Sequence, residues 1–457
     1  MWVMISASFF AFMPALRAFL LTYMVGLLVL PVGWMDEGII VFTNSVQIDR
    51  ITACHLGALI GTLLFAADKF RHYRFDKFDL IYCISTVSIF TTSCLTGTGP
   101  YDGLSNAVNH LRLFAPTIIL AKCYITTTSD LNAALRAMIG GAVVYSLVAV
   151  IEFRLSPQLH RLLYGYFQHT FVQAMRFDSF RPYGALRHAI EFSFFMATSL
   201  LAASWLTYKK MMKPLWGWLP AWAVICCLSV GLLCTLTFAG YAIFVAGVMI
   251  LGMVVVTRSR WVLWILPVIV ALWVCGRWTQ TIDASSLLNL TKQISNQRSE
   301  SLDYRIQAEN SVLDEARNHA WFGAGPAYAL VNSDHGDFVR AVDANWIIRA
   351  LYYGLIGLVT WDLLWAAAIY TAWRYYRKMP EETRTLATVI AVMLGLHLVD
   401  FLFNDFASTF LLILDMGVLS VASHATRARA PVRFMAAPAG ARAFASGQEA
   451  APAGYMP

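Results

Sequence analysis

From residue 13 onward the chain is a succession of long apolar runs divided by short polar punctuation. Runs of about 17 to 25 apolar residues match the hydrocarbon thickness of a bilayer. Such runs fall near 13–33, 51–67, 78–97, 104–121, 131–155 and 188–207. Others fall near 214–233, 236–257, 261–276, 345–371, 385–402 and 404–422. None keeps a strand's alternation, and hydrocarbon offers no partner to a backbone N–H or C=O, so each run is expected to be a helix that pairs those groups internally. The pattern predicts an all-α, polytopic integral membrane protein of about twelve transmembrane helices.

Two polar interruptions stand out, 156–187 and the larger, densely charged 277–344. Within the larger, SESLDYRIQAENSVLDEARNHAWFGAGPAYAL reads as a helix with Ile306, Leu313 and Ala320 on one stripe and Arg305, Glu309 and Val312 on a neighbouring one. Arg305 and Glu309 are one turn apart and could pair with each other. Gly323 and Gly325 follow, where glycine commonly ends a helix.

Composition agrees with the pattern: 58% of residues are hydrophobic and 13% charged, unsuitable proportions for a water-soluble fold. The eight cysteines lie in or at the ends of apolar runs without C-x-x-C spacing, as small core residues do. The net charge of +7 is a matter of topology more than a nucleic-acid footprint. Lysines and arginines in short loops mark the cytoplasmic side. Here they are Lys69, Arg71, Arg74 and Lys77, then Lys209, Lys210 and Lys213, then Arg258 and Arg260, then Arg374, Arg377, Lys378 and Arg384. With about twelve spans all of these share one side, both termini are cytoplasmic, and 98–103, 156–187 and 277–344 are extracytoplasmic. The first run contains Arg17 and no small-residue cleavage pattern, so it is expected to be retained as a span. The chain thus divides into a membrane domain over 1–423 and an Ala-, Pro-, Gly- and Arg-rich tail over 424–457, expected to be disordered and cytoplasmic.

Several chemistries lack their residues: there is no G-x-x-x-x-G-K-[ST], no H-E-x-x-H, no G-x-S-x-G and no Asp-x-Asp. No cofactor and no metal site is expected. What remains outside the cytoplasm is arginine, histidine and carboxylate. Arg176, Arg181, Arg187 and His188 crowd the start of one span, and Pro182 and Gly184 mark a turn beside Arg181. Guanidinium binds phosphate through paired hydrogen bonds and is always charged, which suits a pyrophosphate head group at the membrane surface. Arg187, nearest the interface, could instead snorkel to lipid phosphate, and His188 could satisfy Glu191 one turn on. Ionisable or polar groups also fall at membrane depth: His110 with Arg112, Glu152 with Arg154, and Asp400 with Asn404 and Asp405. They either line a groove or hold helices together.

The order of these features resembles the O-antigen ligase and Wzy-type polysaccharide polymerase superfamily. Arg181-Pro182-Tyr183-Gly184 stands where that family opens a mid-chain span with an Arg-x-x-Gly-like segment. Arg305 and the turn Trp321-Phe322-Gly323-Ala324-Gly325-Pro326 match its second arginine and Gly-x-Gly-like turn. Asn345 and Gly354-Leu355-Ile356-Gly357 match a His-Asn pair entering a Gly-x-x-Gly span, except that Ala344 replaces the histidine. The resemblance covers about 180–360 and implies a GT-C-like, metal-independent, inverting glycosyltransferase of the bacterial inner membrane with a periplasmic active site. Its donor and acceptor would be undecaprenyl-pyrophosphate-linked saccharides. Its other partners would be the bilayer and chain-length regulator and export proteins, with no nucleic acid.

On that reading Arg181 and Arg305 stabilise the departing pyrophosphate, and His335 or Asp343 serves as general base. Asp36 and Glu37 are a further acidic pair in the first outer loop. Arg187, His188, Gly323, Gly325, Arg340 and Asn345 are the expected substrate-binding residues. Polymerisation of lipid-linked repeat units is the expected activity, with ligation of the glycan to a lipid core as the close alternative. From other classes, a transporter or flippase would use the arginines to bind an anionic lipid and would carry broken spans in both halves, and a non-catalytic assembly subunit would tolerate their loss.

Overall fold

The computed structural model describes residues 1–33, 39–42, 46–96, 99–169, 171–176, 178–282, 296–326 and 342–428. Helices account for nearly all of its regular structure. They are α1 (Trp2–Phe12), α2 (Ala15–Val29), α3 (Arg50–Phe65), α4 (Lys77–Leu95), α5 (Pro100–Tyr124), α6 (Thr128–Leu155), α7 (Leu159–Tyr164) and α8 (Ala189–Tyr208). There follow α9 (Ala221–Cys234), α10 (Phe238–Thr257), α11 (Ile265–Trp278), α12 (Asn296–Asn318), α13 (Asn345–Trp365), α14 (Ala367–Tyr375), α15 (Glu381–Asp400) and α16 (Thr409–Ala428). Three short 3-10 helices (Ala67–His72, Phe171–Ala174 and Arg260–Trp264) and two small antiparallel hairpins accompany them, β1 (Ile39–Phe42) with β2 (Val46–Ile48) and β3 (Met175–Arg176) with β4 (Ser179–Phe180). Among the described residues seven helices are long and apolar enough to cross a membrane, and shorter apolar helices accompany them. This is a polytopic, membrane-embedded helical protein.

Every expected apolar run overlaps a helix, with two departures. Trp2–Phe12 forms a separate helix that the length criterion passes over, because it has only 11 residues. The run expected over 345–371 is divided between α13 and α14. Helix starts follow local chemistry: Asp76 and Asp79 form a capping box at α4, Thr127 and Asp130 another at α6, and the Asp49 side chain accepts from Thr52 N–H at α3.

Where the helices break, other groups take up the freed backbone. Pro116, inside α5, has no N–H for the Arg112 carbonyl. His55 Nδ1 donates to that carbonyl at 2.8 Å, which leaves Nε2 to accept from the Thr117 hydroxyl at 2.8 Å. α13 is broken at Gly354, whose φ of 65° and ψ of −169° belong to a region open essentially to glycine alone. The Leu351 carbonyl, released there, accepts from Ala324 N–H at 2.7 Å, while Leu355 N–H donates to the Ala320 carbonyl at 2.7 Å. The loop after α12 is thereby pinned into the break. The approach is so close that a Cβ on Gly354 would lie 2.3 Å from the Trp321 carbonyl oxygen, and one on Gly323 2.5 Å from Tyr353 N.

Basic loops gather at one end of the bundle. Lys209, Arg258, Arg260, Arg377 and Arg384, drawn from three loops, line one pocket, and Lys77 from a fourth lies 3.3 Å over the Tyr370 ring beside α14's end. α8 is capped by His188 and Lys209 and α10 by Thr237 and Arg258, with 20 helical residues between the caps in each. His188 and Thr237 are therefore about 30 Å from the basic loops, one hydrocarbon thickness away.

Replacing Gly354 with alanine is expected to destabilise the protein by at least about 2 kcal/mol, from backbone strain and overpacking together. Gly252→Ala, in α10 with open space at its Cβ, is expected to leave stability within about 1 kcal/mol of wild type. Thermal unfolding of the two variants in detergent measures the contrast; equal midpoints would remove the break as a structural requirement.

Candidate functional site

Arg181 follows β4, and its N–H donates to the Ala174 carbonyl at 2.8 Å. The chain then turns sharply through Pro182, Tyr183 and Gly184, the last at φ 55°. A buried carboxylate holds that turn. Glu152 Oε2 accepts from Tyr183 N–H and Gly184 N–H, each at 2.8 Å, and Oε1 accepts from Leu159 N–H at 3.2 Å. Ala185 N–H donates to the Tyr145 hydroxyl at 3.2 Å, which in turn donates to the Leu28 carbonyl. The guanidinium of Arg181 is buried, reaches Thr237 Oγ1 at 3.1 Å, and keeps Nε without a partner among the described residues.

Arg305 arrives from α12. Its Nε lies 3.9 Å from Asp343 Oδ2, so it does not take Glu309 as spacing alone suggested. Glu309 is buried and committed elsewhere: Oε1 accepts from Trp346 Nε1 at 2.9 Å and Oε2 from Arg277 Nε at 3.3 Å. The Arg277 carbonyl accepts from Arg317 at 2.8 Å, tying α12 to the end of α11. Arg305 is thus presented on a braced helix.

The two arginines share one electrostatic environment. Burial pushes Arg181 down to about 10; the Tyr183 phenol opposes this, and Arg176 and Arg305 push it further down. It remains a cation at neutral pH. Burial likewise pushes His188 down to about 2, with Arg181, His169, Arg305 and Arg176 adding to the effect. Hydrogen bonding agrees, since Nδ1 accepts from Ile190 N–H at 3.1 Å as the cap of α8 and must be unprotonated. The expected His188–Glu191 pair does not form. Glu191 accepts instead from Arg187 N–H at 2.9 Å and from Arg50 at 3.4 Å. His188 stacks on Phe406 with centroids 5.7 Å apart and meets His169 edge-on at 4.8 Å. Partial burial raises the Asp343 carboxyl, opposed by Arg305 and His169, a direction that favours proton acceptance.

The remaining expected residues are distributed around this centre. Gly323 and Gly325 serve close packing, the first against Tyr352 and Tyr353, the second with a Cβ that would lie 2.7 Å from Thr96 Oγ1. Asn345 is fully buried and donates to Asp405, while Asn404 donates to Asp400 at 2.7 Å. Arg187 turns toward Phe406, 5.7 Å from its ring centre, and lines a separate cleft with Arg50, Arg112 and Arg349. His335, Arg340, Asp36 and Glu37 lie outside the described residues. Sequence reasoning passed over Arg50, because an arginine opening a span reads as interfacial. It also missed Arg349, although a cation inside an apolar run was the available signal. Among the described residues no group of three or more His, Cys, Asp or Glu side chains could hold a metal ion. No protein family and no curated protein matches the chain.

Because folding holds His188 neutral, its contribution to stability is complete above pH 6.5. It is lost as the pH falls below that value, where the unfolded chain takes up a proton that the folded one refuses. Between pH 7 and 5 the loss is expected to be about 2 kcal/mol. His188→Asn keeps a capping side chain without titrating, so its unfolding midpoint is expected to fall less over the same interval. Parallel pH dependence in the two proteins would contradict the assignment.

Proposed function

We propose that the protein is a GT-C-like glycosyltransferase with about twelve spans and both termini in the cytoplasm. It joins undecaprenyl-pyrophosphate-linked oligosaccharides at the periplasmic face of a bacterial inner membrane. The observation that carries this reading is that Arg181 and Arg305, far apart in sequence, both act electrostatically on His188, and Arg305 on Arg181, at the bundle end opposite the basic loops. Two guanidiniums brought together with few counter-charges destabilise each other unless an anion joins them. A diphosphate supplies that anion.

In the proposed reaction the acceptor hydroxyl oxygen bonds to the donor's anomeric carbon from the face opposite the leaving group. The bond from that carbon to the pyrophosphate oxygen breaks, and its electron pair stays on the pyrophosphate. Arg181 and Arg305 stabilise this developing charge, held in place beforehand by Glu152 and by the brace on α12. The hydroxyl proton passes to Asp343, whose raised proton affinity suits the role. Neutral His188 packs the wall without adding to the repulsion.

The break in α13 is the feature a transporter would use to hold a moving ion. Here its freed backbone groups bond to Ala320 and Ala324, which supports a fixed scaffold instead. Arg181→Gln and Arg305→Gln are each expected to reduce glycan chain growth from a purified lipid-pyrophosphate oligosaccharide by at least ~100-fold. Gel analysis of product length reads the outcome. Undiminished growth in both variants would refute the proposal, as would lipid-linked substrate crossing a vesicle membrane at constant glycan length.

A further inference from the structure

Beside the first site lies a second basic cavity of about 350 Å³, within the range of small-ligand pockets. Arg50, Arg112, Arg187 and Arg349 line it, against Asp49 and Asp405. The four arginines come from α3, α5, the turn before α8, and α13, so the cluster is assembled by the fold and not by one charged run.

Arg50, Arg112 and Arg187 are held by ion pairs and hydrogen bonds, and Arg349 by aromatic rings. Arg50 is buried and donates to the Leu27 and Ala185 carbonyls at 3.2 and 2.6 Å, besides its contact with Glu191. Arg112 is oriented by Asn109 Oδ1 at 3.1 and 2.6 Å and by Asp49 at 3.3 Å. Arg349 is the most telling. Its guanidinium lies 4.0 Å from the centre of the Trp361 ring and 5.8 Å from that of Tyr353, and among the described residues it has neither a hydrogen bond nor an ion pair. Aromatic faces attract a cation while leaving its N–H donors unused. Asp405, which lines the same cavity, is engaged by the Asn345 amide, and Asp362 on α13 lies within electrostatic range of Arg349 without pairing to it. His110 lines the same cavity, is 5% exposed, and keeps Nε2 without a partner.

We propose that this cleft binds the diphosphate head group of a second polyprenyl-linked substrate. Resting on the glycosyl-transfer reading above, the assignment separates the two partners: Arg181 and Arg305 hold the donor head group, and the cleft holds that of the acceptor. Arg187 in the cleft wall and His188 in the first site are adjacent in sequence and both contact Phe406. Several fork-shaped donors lining one cavity suit the oxygens of a diphosphate better than a single carboxylate. The apolar side chains of Ile89, Leu113 and Phe114 in the lining suit a ligand that carries a lipid.

Native mass spectrometry of the full chain with a short polyprenyl pyrophosphate lacking sugar tests the assignment. Wild type is expected to bind two equivalents, Arg349→Gln one, Arg305→Gln one, and the double variant none. A single equivalent in wild type, or two retained by Arg349→Gln, would overturn the proposal. So would occupancy of the cleft by inorganic pyrophosphate with no polyprenyl pyrophosphate bound there. Should Arg349→Gln fail to fold, a photoreactive polyprenyl pyrophosphate on wild type decides: cross-links to the segments around Arg112 and Arg349 support the cleft, and cross-links confined to Arg181 and Arg305 overturn it. Two-site binding without chain growth would refute the transferase reading and leave the cleft standing; chain growth with one-site binding would do the reverse.

Discussion

Within hydrocarbon an unpaired backbone N–H or C=O costs several kcal/mol, and this constraint governs how the protein builds anything other than straight helix. Near the proposed chemistry the chain departs from helix repeatedly, and each departure is matched by a donor or acceptor from elsewhere. His55 serves the carbonyl that Pro116 abandons. Ala320 and Ala324 serve the groups released at Gly354. Glu152 gathers the N–H groups of the turn that follows Arg181. The last two sets of contacts are stabilising and positional at once, because the bonds that satisfy the backbone also hold the turn after Arg181 and the loop that ends the helix of Arg305.

Electrostatics then explains the division of labour among the acidic residues. Glu152, Glu191 and Glu309 are turned toward the scaffold, accepting from backbone amides, Arg50, Arg277 and Trp346. Asp49, Asp343 and Asp405 are the carboxylates left beside the cations that line the cavities. Asp343, beside Arg305, is half-exposed and meets it only at 3.9 Å, a contact loose enough to yield to a ligand. Buried positive charge without a close partner is costly. Its retention at Arg181, together with an Arg349 guanidinium met only by aromatic rings, is the physical basis for assigning anion binding to the two places.

Much of the helical architecture was legible in the sequence, since run length and the absence of alternation follow directly from the bilayer's thickness and dryness. The helix around Arg305 was legible from its stripes. The partner of Arg305 was not: an i,i+4 spacing names Glu309, but a buried carboxylate goes to whichever donors the tertiary fold brings, here Trp346 and Arg277. Gly323 and Gly354 could be recognised as a recurring pattern, yet their mutual packing could not, because it joins segments on either side of a long loop. The cleft of Arg50, Arg112 and Arg349 was illegible for the same reason. Arg50 looks interfacial alone, Arg112 and Arg349 look like isolated cations inside apolar runs, and only the fold makes them neighbours.

The central claim is that Arg181 and Arg305 grip one diphosphate. Its most direct test is a cryo-electron microscopy map of the full chain with a non-hydrolysable polyprenyl diphosphate sugar. The account predicts diphosphate density within hydrogen-bond reach of both guanidiniums, with the sugar near Asp343. Diphosphate density contacting only one of them, or lying at the bundle end lined by Lys209 and Arg258, would contradict it.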